Sequence, residues 1–171
     1  MQRFAFTFIV ALLAVSSLWA EEKPRPPLHV SCIANQMSYT PADTVTLTVT
    51  LENVGASDFY IHRHVEWGWA GIGFKLLDAT EHIVRPRKGS VPLPPPPLND
   101  KSDLVGLSPG YFFGTNLEFE LSHYDLRPGS YYIEVSYRSN YREDDGFGLP
   151  VLTSADGEFL SNRVRIVVRP N

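Results

Sequence analysis

The sequence predicts an all-β protein, an antiparallel two-sheet sandwich interrupted by a long proline-rich loop. Thr44 to Leu51 alternates strictly, with Val45, Leu47, Val49 and Leu51 on one side and four threonines on the other. That period of two marks a half-buried strand, because successive side chains of extended backbone point to opposite faces. Pro128-Gly129 marks a tight turn, since proline presets φ and glycine accepts positive φ. Directly after it, Tyr131, Ile133, Val135 and Tyr137 alternate with polar or outward residues. No segment carries an apolar stripe of helical period and helix length, and no repeat of solenoid length occurs.

Taken in order, Leu28 to Ala34 reads as the first strand and Thr44 to Leu51 as the clearest one, with Tyr39-Thr-Pro-Ala-Asp43 turning between them. Asn53-Val-Gly-Ala-Ser57 is a second turn, leading into a strand from Phe59 to Val65. Phe74 to Leu77 is a further strand, with a short partner near His82 to Arg85. Arg85 to Leu98 is dominated by proline and basic groups. Its Pro94 to Pro97 run is polyproline II and reads as a stiff surface loop, because proline cannot donate to a central ladder. Leu117 to Leu121, the Tyr131 strand and Arg163 to Val168 complete about seven strands, a number suited to a sandwich.

The N-terminus is expected to be a signal peptide, residues 1–20, cleaved after Ala20. Arg3 supplies the positive end and Phe4 to Val15 the apolar run, which is shorter than the roughly 20 residues of a membrane span. Residues 21–27 form a charged, proline-rich leader, and 28–171 a single domain. No other stretch is apolar enough to span a bilayer, so the processed chain is expected to be exported, periplasmic or extracellular. A net charge of −4 leaves no basic stripe for nucleic acid. Cys32 is the only cysteine, which excludes an internal disulfide and a four-cysteine zinc site. Its phase with Val30 and Ala34 favours a buried small hydrophobe over a reactive or intermolecular thiol.

Three segments resemble bacterial immunoglobulin-like domains. Tyr39 to Gly55 is similar to strands A′ to B, and Leu126 to Val135 to the E–F corner with strand F. Ser161 to Val168 is similar to strand G. The resemblance implies that Tyr131, in phase with Ile133 and Val135, bonds backbone across the corner. Residues 66–112 are poorly matched. Exported proteinase inhibitors and accessory domains of secreted peptidases share this architecture. The chain lacks the Asn-Pro-Thr-Thr-Gly-type loop of chagasin-like inhibitors, and Cys32 lies too early for a cupredoxin copper ligand.

Few residues offer chemistry. His62, His64 and Glu66 share one strand face, the arrangement nearest to a metal-ligand set. The preferred reading is a solvated polar face and no metal. Arg142-Glu-Asp-Asp-Gly146 lies in a long loop expected at the same sandwich end as the 53–58 turn. That would make Glu52, Asp58, Asp144 and Asp145 neighbours, as a solvated acidic cluster or, less favoured, a calcium site. Trp67, Trp69, Tyr111, Phe112 and Phe113 form an aromatic set suited to core packing or to stacking on a sugar or a protein partner. No Gly-x-Ser-x-Gly elbow, His-Glu-x-x-His pair or phosphate-cradling loop occurs.

The expected function is therefore a non-enzymatic, exported binding module without a cofactor. It would engage a protein or glycan through loops at one sandwich end, with Trp67, Trp69, Asp144 and Asp145 as candidate contacts. The alternatives are an inhibitor of a secreted protease that inserts residues Pro92 to Asn99, and a metal-binding or hydrolytic protein using His62, His64 and Glu66.

Overall fold

The computed structural model describes residues 28–65, 67, 71–87, 100–142 and 145–170. The segments expected as signal peptide and leader, and most of the expected proline-rich loop, lie outside them. Nine strands follow in order: β1 Leu28–Ala34, β2 Ser38–Tyr39, β3 Thr44–Asn53, β4 Phe59–His62, β5 Ile72–Asp78, β6 Leu104–Leu107, β7 Phe112–Glu120, β8 Gly129–Tyr137 and β9 Phe159–Val168. The described residues contain 3-10 turns but no α-helix, and no helix long and apolar enough to cross a membrane.

The strands form three sheets. One has the order β1-β3-β7, a second β2-β9-β8-β5, and a small third pairs β4 with β6. All pairings are antiparallel except β2 with β9. The two larger sheets contribute to one core, in which Leu47 and Leu51 of β3 join Ile133 and Val135 of β8 and Ile166 of β9. The β3 alternation decides its burial. Its four apolar residues are buried while its threonines are exposed or half-exposed, and Thr48 donates from Oγ1 to Asn116 Oδ1 of β7 at 2.8 Å.

Side chains stitch the sheets together. The Asn162 amide of β9 imitates a strand backbone. Its Oδ1 accepts from Cys32 N–H (2.9 Å) and its Nδ2 donates to the Cys32 carbonyl (3.0 Å). Ser161 Oγ accepts from Val135 N–H at the β8–β9 irregularity and lies 3.3 Å from Cys32 Sγ. Cys32 is buried, and burial pushes its thiol pKa up, so it behaves as an inert small hydrophobe. At the corner before β8, the Tyr131 hydroxyl accepts from Arg127 N–H (3.1 Å) and donates to the Arg127 carbonyl (2.9 Å).

Several elements differ from the sequence reading. β7 begins at Phe112 and β9 at Phe159, because the first halves of both strands pair by backbone while burying little, so no buried alternation marks them. β2 is only two residues long, and β6 contains Gly106, so neither shows a readable alternation. The partner expected near His82 to Arg85 is present: Ile83 bridges Leu77, and Val84 N–H donates to the Leu76 carbonyl.

Candidate functional site

Asn53 organises one end of the molecule. It is the last residue of β3 and is fully buried. Its N–H donates to the Tyr111 carbonyl (3.0 Å), and its own carbonyl accepts from Gly110 N–H (2.8 Å). The side-chain Nδ2 donates to the carbonyls of Ser57 (2.8 Å) and Leu107 (2.7 Å), while Oδ1 accepts from Gly55 N–H (2.9 Å). One residue thus ties down two turns, 54–58 and 108–111. Gly110 has φ +78, which lets the second turn reverse so tightly before β7. On these fixed turns stand Val54, Tyr111 and Phe112, with exposures of 57%, 69% and 67%. Large apolar side chains left in water on hydrogen-bonded turns are candidates for contact with a partner.

The aromatic set divides. Trp67 is half-buried; its ring centroid lies 4.7 Å from that of Phe74, and its Nε1 donates to the Glu118 carbonyl at 2.6 Å. Phe74 packs on Phe119 with centroids 4.4 Å apart. Trp67 therefore serves the core near the far end of β7, some 20 Å along the strand from Phe112. Trp69 lies outside the described residues, and Phe113 packs partly against the core.

A second cluster surrounds His62, and here the expected solvated face is corrected. His62 is 2% exposed, whereas His64 is exposed. β4 pairs with β6 on one edge, and residues 150–152 run parallel to it on the other. Tyr60 N–H donates to the Pro150 carbonyl and Leu152 N–H to the Tyr60 carbonyl. The connection from β8 to β9 then folds over the end of the strand. Ser139 Oγ donates to the Leu152 carbonyl and accepts from Tyr141 N–H, which places the Tyr141 ring 5.9 Å from His62. The His62 and His64 rings are 5.6 Å apart, and Glu66 lies outside the described residues. Among the described residues no three His, Cys, Asp or Glu side chains are grouped closely enough to hold a metal ion.

The carboxylates expected as neighbours are spread out. Glu52 pairs across the sheet with His29 and Phe112, and Asp58 precedes β4. Asp145 closes a turn by accepting from Arg142 N–H at 2.7 Å, beside Tyr141 at the opposite end of β4. Asp144 and residues 92–99 lie outside the described residues.

His62 also couples its titration to folding, because its imidazole is buried. His62 Nδ1 lies 3.0 Å from both the His64 N–H and the His64 carbonyl, accepting from the first or donating to the second according to the tautomer. Burial lowers its pKa below the ordinary 6.5; the His64 carbonyl and Asp103 pull the other way but do not prevail. Above pH 6.5 folded and unfolded chains both hold neutral imidazole and nothing is lost. Below it the unfolded chain takes the proton first, so stability falls on acidification. Thermal unfolding should show a constant midpoint above neutrality and a decline from pH 6.5 toward 5, with a slope no steeper than about 1.4 kcal/mol per pH unit. The variant His62→Gln should flatten that window. Asp78 and Asp100, held below the ordinary carboxylate range by hydrogen bonds from Thr80 and Ser102, act only at lower pH.

Comparison with known proteins assigns no family. No protein-family model matches the chain, and no curated protein does. Among solved structures, the chain is similar to part of a β-glucosidase from Erythrobacter marinus. The identity is 13% and the TM-score 0.38, over 83% of this chain and 16% of the enzyme. It is also similar to AvmM, which catalyses macrocyclization in alchivemycin A biosynthesis, at 11% identity and TM-score 0.40, over 85% of this chain and 89% of that one. The chain spans only about a sixth of the glucosidase's length. Likenesses this distant carry no argument about activity.

Tyr111 and Phe112 stand out in the sequence by type, whereas the backbone bonds that bring Asn53 and Val54 beside them do not. The readable signal was Asn53-Val-Gly55, in which an asparagine accepts from the N–H two residues on.

Proposed function

We propose that the chain is an exported, non-enzymatic, immunoglobulin-like module that binds a protein partner through Val54, Tyr111 and Phe112. The single observation carrying this reading is the rigid presentation of three exposed apolar side chains by the buried Asn53 hub. A preorganised apolar patch loses little conformational entropy on binding. Val54 and Phe112 have no polar side-chain atoms with which to orient a sugar, which favours protein over glycan. The immunoglobulin-like assignment is supported by the strand orders β1-β3-β7 and β2-β9-β8-β5, with β2 parallel to β9, and by the Tyr131 hydroxyl bonded to Arg127 backbone. Export is supported by Arg3, the apolar run to Val15 and the small residue at Ala20.

Capture of proteins from the envelope and culture medium of the source organism tests this reading. The double variant Tyr111→Ala/Phe112→Ala should weaken capture at least about tenfold, as expected for a truncated aromatic anchor. Its unfolding free energy should stay within about 0.5 kcal/mol of the unaltered chain, because both side chains are exposed. Undiminished capture would place the site elsewhere. Binding to a glycan array that depends on the same two residues would turn the reading from protein to sugar.

A further inference from the structure

We propose that His62, Tyr137, Ser139 and Tyr141 enclose an internal hydration site, in which ordered water joins β4 to the long connection between β8 and β9. Among the described residues, His62 Nε2 and the Tyr141 hydroxyl have no protein hydrogen-bond partner, and the Tyr137 hydroxyl, although close to the His62 backbone and Ser139, makes no well-aligned hydrogen bond. None of the three residues is more than 2% exposed. They belong to one cluster. The His62 and Tyr141 rings are 5.9 Å apart, and the Tyr137 hydroxyl lies against the His62 backbone, Ser139 and Tyr141. A single buried polar group left unpaired is destabilising, and three together would rival a domain's whole margin of stability. The site is polar and offers several partners at once, which is what a buried water requires.

The chemistry of the lining selects water over other occupants. His62 Nε2 donates in one tautomer and accepts in the other, and each phenol both donates and accepts, so the occupant must also do both. An anion would meet the carboxylates of Asp103 and Asp145, which add to the burial that pushes the Tyr141 hydroxyl up to about 12. A metal ion would find one imidazole and two phenols that burial keeps protonated. Water satisfies all three groups without a charge.

Magnetic relaxation dispersion of water deuterium and oxygen-17 tests the site on the purified protein. The unaltered chain should show long-lived internal water, and Tyr137→Phe or Tyr141→Phe should each remove the contribution of about one molecule, since only the hydroxyl is lost. A dispersion unchanged in both folded variants would overturn the proposal. A high-resolution crystal structure of the unaltered protein decides independently of how the variants fold. The proposal expects a solvent peak within hydrogen-bonding distance of His62 Nε2 or of a phenol oxygen. Direct bonding of all three atoms to protein groups, or an ion at that position, would contradict it.

Discussion

Replacing Gly71 by alanine should be the most damaging single change outside the apolar core, lowering stability by about 3–5 kcal/mol. Gly71 has φ +81, a region that disfavours side chains with a Cβ. Its carbonyl accepts from Arg138 N–H at 2.9 Å, which extends the β5–β8 pairing one step beyond Ile72 and Tyr137. A Cβ built at Gly71 would overlap the Arg138 carbonyl, backbone that cannot swing aside as a side chain can. Relief requires parting the strands, and with them the start of the connection that covers His62. Gly110 is the natural control: its φ is +78, but a Cβ there would meet nothing within 4 Å. Gly110→Ala should therefore cost only about 1–2 kcal/mol, the backbone term alone. Urea unfolding of both variants checks this, and equal losses would show that the close approach to Arg138 does not matter.

Asn53→Ala should cost about 3 kcal/mol, because it leaves the buried Leu107 carbonyl, and with it the Ser57 carbonyl and the Gly55 N–H, without their partner. The loss should not be purely global. Amide exchange in 54–57 and 108–111 should accelerate more than in β8, since the two turns depend on that one side chain. Asn53→Asp separates shape from donation: the carboxylate keeps the Gly55 bond but faces two carbonyls it cannot donate to. It should be no better tolerated than alanine. Near-wild-type unfolding of either variant would mean that the turns are held by their own backbone.

The sequence made the strands legible wherever one face meets the core and the other meets water. β3 and β8 have this character, with apolar residues buried at every second position. It failed at β4 for a physical reason. Alternation from Phe59 and Ile61 sends His62 to solvent only if the opposite face is open, and here the chain from Ser139 to Leu152 returns to cover it. That contact joins residues nearly eighty positions apart and leaves no local pattern. β6 was hidden similarly. Gly106 carries no side chain because the Tyr60 ring lies across it, and a Cβ there would stand 3.2 Å from that ring. The candidate site was half legible. Tyr111 and Phe112 stand out by type, but only the fold shows that Asn53 brings their turn against Val54 and that Trp67 belongs to the core instead.

The most direct test of the proposed binding end is hydrogen exchange on the purified chain, free and then saturated with a captured partner. The proposed site predicts slowed exchange at 54–57 and 108–112, with 145–150 unchanged. Protection confined to 145–150 or to other surfaces, with both turns exchanging as in the free protein, would contradict it.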